Sequence, residues 1–396
     1  MMRWIPVAAM VLWAVVAGAA DYAVVVSKKT GDDAAWKKVV DALVAKHKGE
    51  VIVYDGKVAE ALPGLRPSMP KYACFVATPA EAGRAFVADV NRITRKLDDD
   101  PYTDCIWGIL TGYDADNALW IAQQDKPLVV RKVGSGTELA MSAVEEGVWY
   151  CELQKNRMVK KEKGGEAAQL KGPDDTTAAL VGVLNDYKPD MFVTSGHATE
   201  HDWMIGFRYQ NGFFKCKNGQ LYGEDTKRAK FDVKSPNPKV YLPIGNCLMG
   251  HVDGPEAMAL AWMKSAGVCQ MAGYTVPTWY GYAGWGWLDY FVEEPGRYTL
   301  AEAYYANQQA LIHRLGTYFP EIANQEPSPG QTVGAGVKLS DAAKAAGLTA
   351  QDAAGLLHDR DVTAFYGDPA WEARMAPGPL AWEQELTEKD GVWTLT

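Results

Sequence analysis

Continuous apolar runs alternate with amphipathic stretches through the first quarter of the chain. Residues 22–27 (YAVVVS), 51–54 (VIVY) and 72–78 (YACFVAT) lack the one-in-two alternation of a half-exposed strand. Such runs predict strands covered on both faces. Between the first two, from Asp33 to about His47, Trp36, Val39, Val40, Leu43 and Val44 recur at helical spacing. Residues 79–97 predict a long amphipathic helix with a proline near its first turn. Strands separated by helices imply an α/β fold, a mostly parallel sheet with helices on both faces.

The pattern continues beyond the acidic turn Asp98-Asp99-Asp100-Pro101. A strand is expected at 105–110, a helix from Asp114 to about Gln124 and a short strand at 128–132. Residues 155–166 are charged and contain glycine, which predicts a solvated loop. A helix at 175–187, capped by Asp174 or Asp175, precedes a strand at 191–194. Residues 204–223 alternate and hold two Asn-Gly pairs, the signature of a small antiparallel hairpin insertion. Core strands follow at 239–244 and 268–274, with a helix from Gly254-Pro255 to about Ser265 between them. Later helical stretches fall near 287–293, 299–315 and 341–358, the last broken near Gly347.

Before Asp21, Arg3 and the apolar run at 4–17 lead to Ala17-Gly18-Ala19-Ala20. That is the layout of a secretory signal cleaved near Ala20. The run is short for a membrane span of about 20 residues. The expected product is exported, with no membrane association after cleavage. Residues 1–20 are thus read as a signal peptide and 21–98 as an N-terminal α/β subdomain. Residues 99–375 are read as a catalytic subdomain and 376–396 as a C-terminal tail.

A hydrophobic content of 48% with 22% charged residues excludes a mostly disordered chain. The net charge of -9 argues against a nucleic-acid partner, because phosphates reward surplus Lys and Arg. Six cysteines scatter from Cys74 to Cys269 with no C-x-x-C, so this is no small disulfide scaffold. Their pairing stays open.

His197 and Cys247 each follow an apolar strand, at the corners Ser195-Gly196-His197 and Gly245-Asn246-Cys247. In a parallel sheet the strand C-termini share an edge, and ligand sites collect there. If the two strands are neighbours, the imidazole can take the thiol proton and the thiolate can attack a carbonyl. The glycine corners offer backbone amides to an oxyanion. The bland alternative is a buried thiol and a hydrogen-bonded histidine. A zinc-dependent hydrolase is a further alternative, since His197-x3-His201 and Cys247-x3-His251 supply four imidazole and thiolate ligands.

The stretch GNCLMGHVDGPEAMALAWMKSAGVCQMAGYTVPTWYGYAGWGW resembles the nucleophile region of gingipain-type cysteine peptidases, of the caspase–gingipain clan. Glu256, Ala261 and Trp262 roughly match the family's helix after the catalytic Cys. VTSGHATEHDW is similar to the family's histidine motif, with Ala198 where Gly usually follows the His. FYGDPAWEARM at 365–375 resembles the family's closing Gly-Asp-Pro segment. DPYTDCIWGIL resembles its acid–strand–Gly element, with Ile109 in place of the usual Arg.

The resemblance implies a caspase/gingipain-like α/β fold and hydrolysis of a peptide or protein substrate through an acyl-enzyme. It makes Cys247 the nucleophile, His197 the acid/base and Asp104 the residue that orients His197. The amides of Ala198 and Cys247 then face the oxyanion. Trp279 matches the aromatic wall of the primary specificity pocket, extended by Tyr280 and Trp285. Asp114 and Asp116 are read either as acidic pocket residues that select Lys or Arg, or as a solvated helix N-terminus. No cofactor is required, and a structural calcium is implied by the family alone. A non-catalytic module that binds peptide or glycan through the aromatic loop at 274–291 is the remaining alternative.

Overall fold

The computed structural model describes residues 21–331, 337–380 and 382–396; the expected signal peptide, 1–20, lies outside them. The first strands are β1 (Tyr22–Ser27), β2 (Glu50–Tyr54), β3 (Tyr72–Val76) and β4 (Ile106–Leu110). Next come β5 (Leu128–Val130), β6 (Lys132–Ser135), β7 (Glu146–Tyr150), β8 (Arg157–Lys161), β9 (Ala167–Lys171) and β10 (Met191–Thr194). An antiparallel insertion holds β11 (Asp202–Met204), β12 (Phe213–Lys217), β13 (Gln220–Glu224) and β14 (Lys230–Asp232). After it come β15 (Lys239–Pro243), β16 (Val268–Tyr274), β17 (Thr363–Tyr366) and β18 (Ala373–Met375). The hairpin of β19 (Leu386–Lys389) and β20 (Val392–Leu395) ends the chain.

Twelve strands form one sheet flanked by helices, in the order β2-β1-β3-β4-β17-β16-β15-β10-β6-β7-β8-β9. Two parallel blocks, β2-β1-β3-β4 and β16-β15-β10-β6-β7, meet at β17. β17 is parallel to β4 and antiparallel to β16, so the blocks run in opposite directions. The boundary expected after residue 98 falls between β3 and β4, which are paired neighbours in this sheet.

Elements with strong apolar patterning lie where the sequence predicts them. The helix Ala34–His47 is capped by Asp33, whose carboxylate accepts the N–H groups of Ala35 and Trp36, and it buries Trp36, Val39, Val40 and Leu43. The differences have local causes. The helix expected at 79–97 spans only Arg84–Ile93. Residues 78–83 instead wrap Glu81, whose carboxylate accepts bonds from Ser27, Thr30 and Thr78. The stretch 155–166 is no loop, because β8 extends the sheet beside β7 and pairs with β9. The single strand expected at 128–132 is two: β5 pairs with β18, and β6 enters the main sheet. Of the two Asn-Gly pairs, only Asn218-Gly219 turns a hairpin, both at positive φ. The side chain of Asn211 instead bonds the Thr176 N–H and hydroxyl.

A buried aromatic cluster lies beneath the second block. Trp262 stacks on Tyr241 of β15 at 4.0 Å and packs against Phe192 of β10 at 5.4 Å. Phe214 and Trp203 of the insertion complete the cluster. Clusters of this kind combine large apolar burial with a fixed geometry. The cluster fixes β10 and β15 side by side, so that the corners after both strands are set together.

Candidate active site

The strands of the second block end along one rim. Ser195, Gly196 and His197 follow β10, and Gly245, Asn246 and Cys247 follow β15, its hydrogen-bonded neighbour. A cavity of about 430 Å3 opens there. His197 and Cys247 both line it, together with Thr278, Trp279 and Tyr280 after β16 and Trp285 from the next helix. Glu152 after β7 and Phe207 of the insertion close the far side.

Short bonds hold the corners. Asn246 is fully buried; its Oδ1 accepts the Thr194 hydroxyl at 2.5 Å and its Nδ2 donates to the Gly196 carbonyl at 2.9 Å. The Trp203 indole N–H donates to the Ser195 carbonyl at 2.8 Å. A Cβ on Gly245 would stand 2.5 Å from Ser195 Oγ, so glycine lets the corners approach. Leu248, just past Cys247, has φ 60, and its N–H donates to the Val276 carbonyl. A non-glycine residue in that region is held by its surroundings.

Cys247 is half-buried and accepts the Thr278 backbone N–H at Sγ, 3.2 Å away. The His197 ring is exposed and packs on Phe207 with centroids 4.6 Å apart. Among the described residues no carboxylate forms an ion pair with it. Ala198 pairs with Trp203 through bonds made by its neighbours, Met204 N–H to the His197 carbonyl and Thr199 N–H to the Asp202 carbonyl. The amides of Ala198 and Cys247 have no acceptor among the described residues. All six cysteines are unpaired thiols.

Asp104 lies elsewhere. It precedes β4, four strands from β10 in the sheet order, or about 19 Å at the usual strand spacing. Its Oδ2 accepts the Leu97 N–H at 2.8 Å, and burial, with Asp98 and Asp100 nearby, holds its carboxyl above the ordinary range. It does not orient His197, because β17, β16 and β15 stand between. Asp114 and Asp116 are also remote from the cavity. Asp114 caps the helix Ala115–Ala122 by accepting the Asn117 N–H, and Asp116 is exposed in its first turn. Of their two readings, the solvated helix N-terminus is the one that fits.

The four zinc candidates do not converge. His201 bonds Asp253 and the Glu256 carbonyl, while His251 bonds Glu200. Among the described residues the only three such ligand atoms gathered within 4.8 Å belong to Asp98, Asp100 and Asp104. Carboxylates are the right kind of ligand for the calcium that the resemblance led us to expect. However, two of the three residues are exposed, and Leu97 already uses Asp104 Oδ2.

Trp279 and Trp285 are 66% and 46% exposed, so they are walls of the cavity and not core. Glu152 is a cavity residue outside the set expected from the sequence. It is only 7% exposed, its Oε1 accepts the Thr137 hydroxyl, and its Oε2 has no partner among the described residues. Burial pushes its carboxyl above the ordinary glutamate range, against the lowering effect of the Thr137 bond. The signal was the short strand EGVWY, β7, which ends two residues before Glu152. A larger cavity of about 620 Å3 lies elsewhere, but its cations are committed. Arg95 and Arg360 both bind Asp361, and Lys96 pairs with Glu326.

No family model matches the chain, and no curated protein matches it. Among solved structures, it is similar to the complex of Porphyromonas gingivalis RgpB pro- and mature domains. The TM-score is 0.50 and the identity 10%, over 92% of this chain and 82% of that one. At that identity the likeness concerns the fold alone, a gingipain/caspase-like mixed α/β architecture. Among the described residues no helix is long and apolar enough to cross a membrane.

Proposed function

We propose that the protein is an exported cysteine peptidase acting through a Cys247–His197 dyad. The observation that carries this is the placing of both side chains in one cavity, at the ends of adjacent parallel strands. His197 takes the Cys247 proton, and the thiolate attacks the peptide carbonyl. The tetrahedral oxyanion accepts bonds from the Ala198 and Cys247 amides. His197 returns the proton to the leaving amine as the C–N bond breaks. Water, deprotonated by His197, then splits the thioester and releases the acid and the free thiol.

The aromatic walls Trp279, Tyr280 and Trp285 hold the substrate side chain, and Glu152 at the cavity favours a cationic one. Glu152 thereby takes the role that one of the two expectations gave to Asp114 and Asp116. The test is a positional peptide library under reducing conditions, with wild type, Cys247→Ala and Glu152→Gln. Hydrolysis at Lys or Arg is expected in wild type and lost in Cys247→Ala. Glu152→Gln raises KM for basic peptides by about tenfold or more, the scale of one lost charged contact. Iodoacetamide should abolish activity, and a chelator should spare it. Binding of peptide without turnover by wild type would refute the enzyme and favour a binding module.

A further inference from the structure

The histidines left over from the zinc pattern have a different use. We propose that Glu200, His201, His251 and Asp253 form a reciprocal latch that positions His197 against Cys247, and that the latch loosens when His201 gives up a proton. The proposal rests on the peptidase reading for its consequence and on geometry for its existence. Glu200 and His201 lie three and four residues past His197, and His251 and Asp253 lie four and six past Cys247. Each corner therefore supplies one imidazole and one carboxylate to the other. His251 Nδ1 lies 2.9 Å from Glu200 Oε1, and His201 Nε2 lies 3.0 Å from Asp253 Oδ2. A main-chain bond runs between the pairs, from the Met258 N–H to the Glu200 carbonyl at 2.7 Å.

The two histidines differ in what they demand. His201 Nδ1 faces the Glu256 carbonyl at 3.0 Å while Nε2 faces a carboxylate, so both ring nitrogens meet acceptors. Only the imidazolium has two N–H donors. A neutral ring must abandon one of these bonds. The pair between His251 and Glu200 needs a single N–H and survives in the neutral form. Arg84 faces this pair from the helix Arg84–Ile93, with Nη2 3.1 Å from His251 Nδ1 and 3.9 Å from Glu200. Its Nε donates to the Thr275 carbonyl at 2.6 Å, three residues before the amide that bonds Cys247 Sγ. The charged groups around His201 are Asp253 and Glu200, and the Glu256 carboxylate is turned to the Asn218 N–H. The Glu256 carbonyl and these carboxylates raise the His201 pKa above the ordinary histidine value. The latch is therefore at full strength below about pH 6.5 and fades as pH rises through the elevated value.

The experiment is a double-mutant cycle with His201→Gln, Asp253→Asn and the pair together, read at about pH 6 and about pH 8.5. The readouts are kcat and KM on a cleaved peptide, and the iodoacetamide rate at Cys247 resolved by peptide mass mapping. At the lower pH each single variant lowers kcat and changes the alkylation rate by about three- to fivefold, the upper range for a half-exposed ion pair. KM stays within about twofold, and the double variant is no worse than either single one. At the higher pH wild type and variants converge. Amide exchange of Met258 in wild type gives a reading that needs no variant. Its protection, corrected for intrinsic rate, falls about three- to fivefold across the same interval. Additive effects, variants indistinguishable from wild type at the lower pH, or constant Met258 protection would each overturn the latch. A wild type that turns over no peptide would sink the peptidase reading instead, and alkylation and exchange would still decide the latch.

Discussion

Gly284 sits where a helix touches the end of the strand that carries the candidate nucleophile. A Cβ built there lies 1.8 Å from the Ile244 carbonyl oxygen and 3.0 Å from the Tyr274 ring. An ordinary carbon–oxygen contact is about 3.3 Å or more, so Gly284→Ala must open a gap of about 1.5 Å. The obstacle is backbone and no rotamer relieves it. The helix Tyr282–Phe291 must therefore shift, and Trp285, the next residue, moves with it. Overpacking of this kind costs about 1–3 kcal/mol of stability. A misplacement of about 1 Å at a site costs about a hundredfold in rate. Gly316 is the control, in the helix Leu300–Tyr318 with nothing near its Cβ position. Gly316→Ala gains up to about 1 kcal/mol from helix propensity and leaves the rate alone. Urea unfolding and peptide turnover on the three proteins separate the effects. A Gly284→Ala protein within about 0.5 kcal/mol of wild type and fully active would refute the close approach and the placing of Trp285.

Two further outcomes follow from buried polar groups. Asn246→Ala leaves the Gly196 carbonyl without its bond and should lower stability by about 2–4 kcal/mol, with kcat falling more than KM rises; an unchanged urea midpoint would exclude its bridging role. Asp361 is buried against Arg95, Arg360 and Arg92, which hold its carboxyl far below the ordinary range against the cost of burial. Its contribution is present above about pH 4 and is lost as pH falls toward the folded value, so Asp361→Asn should cost several kcal/mol at neutral pH and less in acid, by urea titration across pH.

The rim with the candidate nucleophile was legible because both strands leading to it are apolar runs that end in glycine corners. Residues 191–194 and 268–274 have the expected bounds, and 239–244 differs by one residue. Periodicity identifies strands but does not order them. β17 is four residues long and enters the sheet between β4 and β16, and that insertion carries Asp104 away from His197. The charged hairpin of β8 and β9 was illegible for a related reason. Its residues are largely solvated on both faces, so burial leaves no imprint on the sequence. Glu152 was hidden by the same gap, since without β6 and β7 in the sheet nothing places residue 152 on the rim.

The proposed dyad, with no acid behind the histidine among the described residues, depends on how its two side chains are held. His197 rests on the Phe207 ring, and among the described residues no carboxylate pairs with it. The Cys247 sulfur, in contrast, accepts the Thr278 N–H. The sulfur is thus held by a backbone amide, and the imidazole is placed by bonds to the main chain at Gly196, His197 and Ala198. Rate in such an arrangement depends on how well two corners are held together more than on any one charge. Substitutions at Asn246, Gly284 and the latch pairs should therefore depress catalysis more than Asp104→Asn, which acts on a carboxylate several strands away.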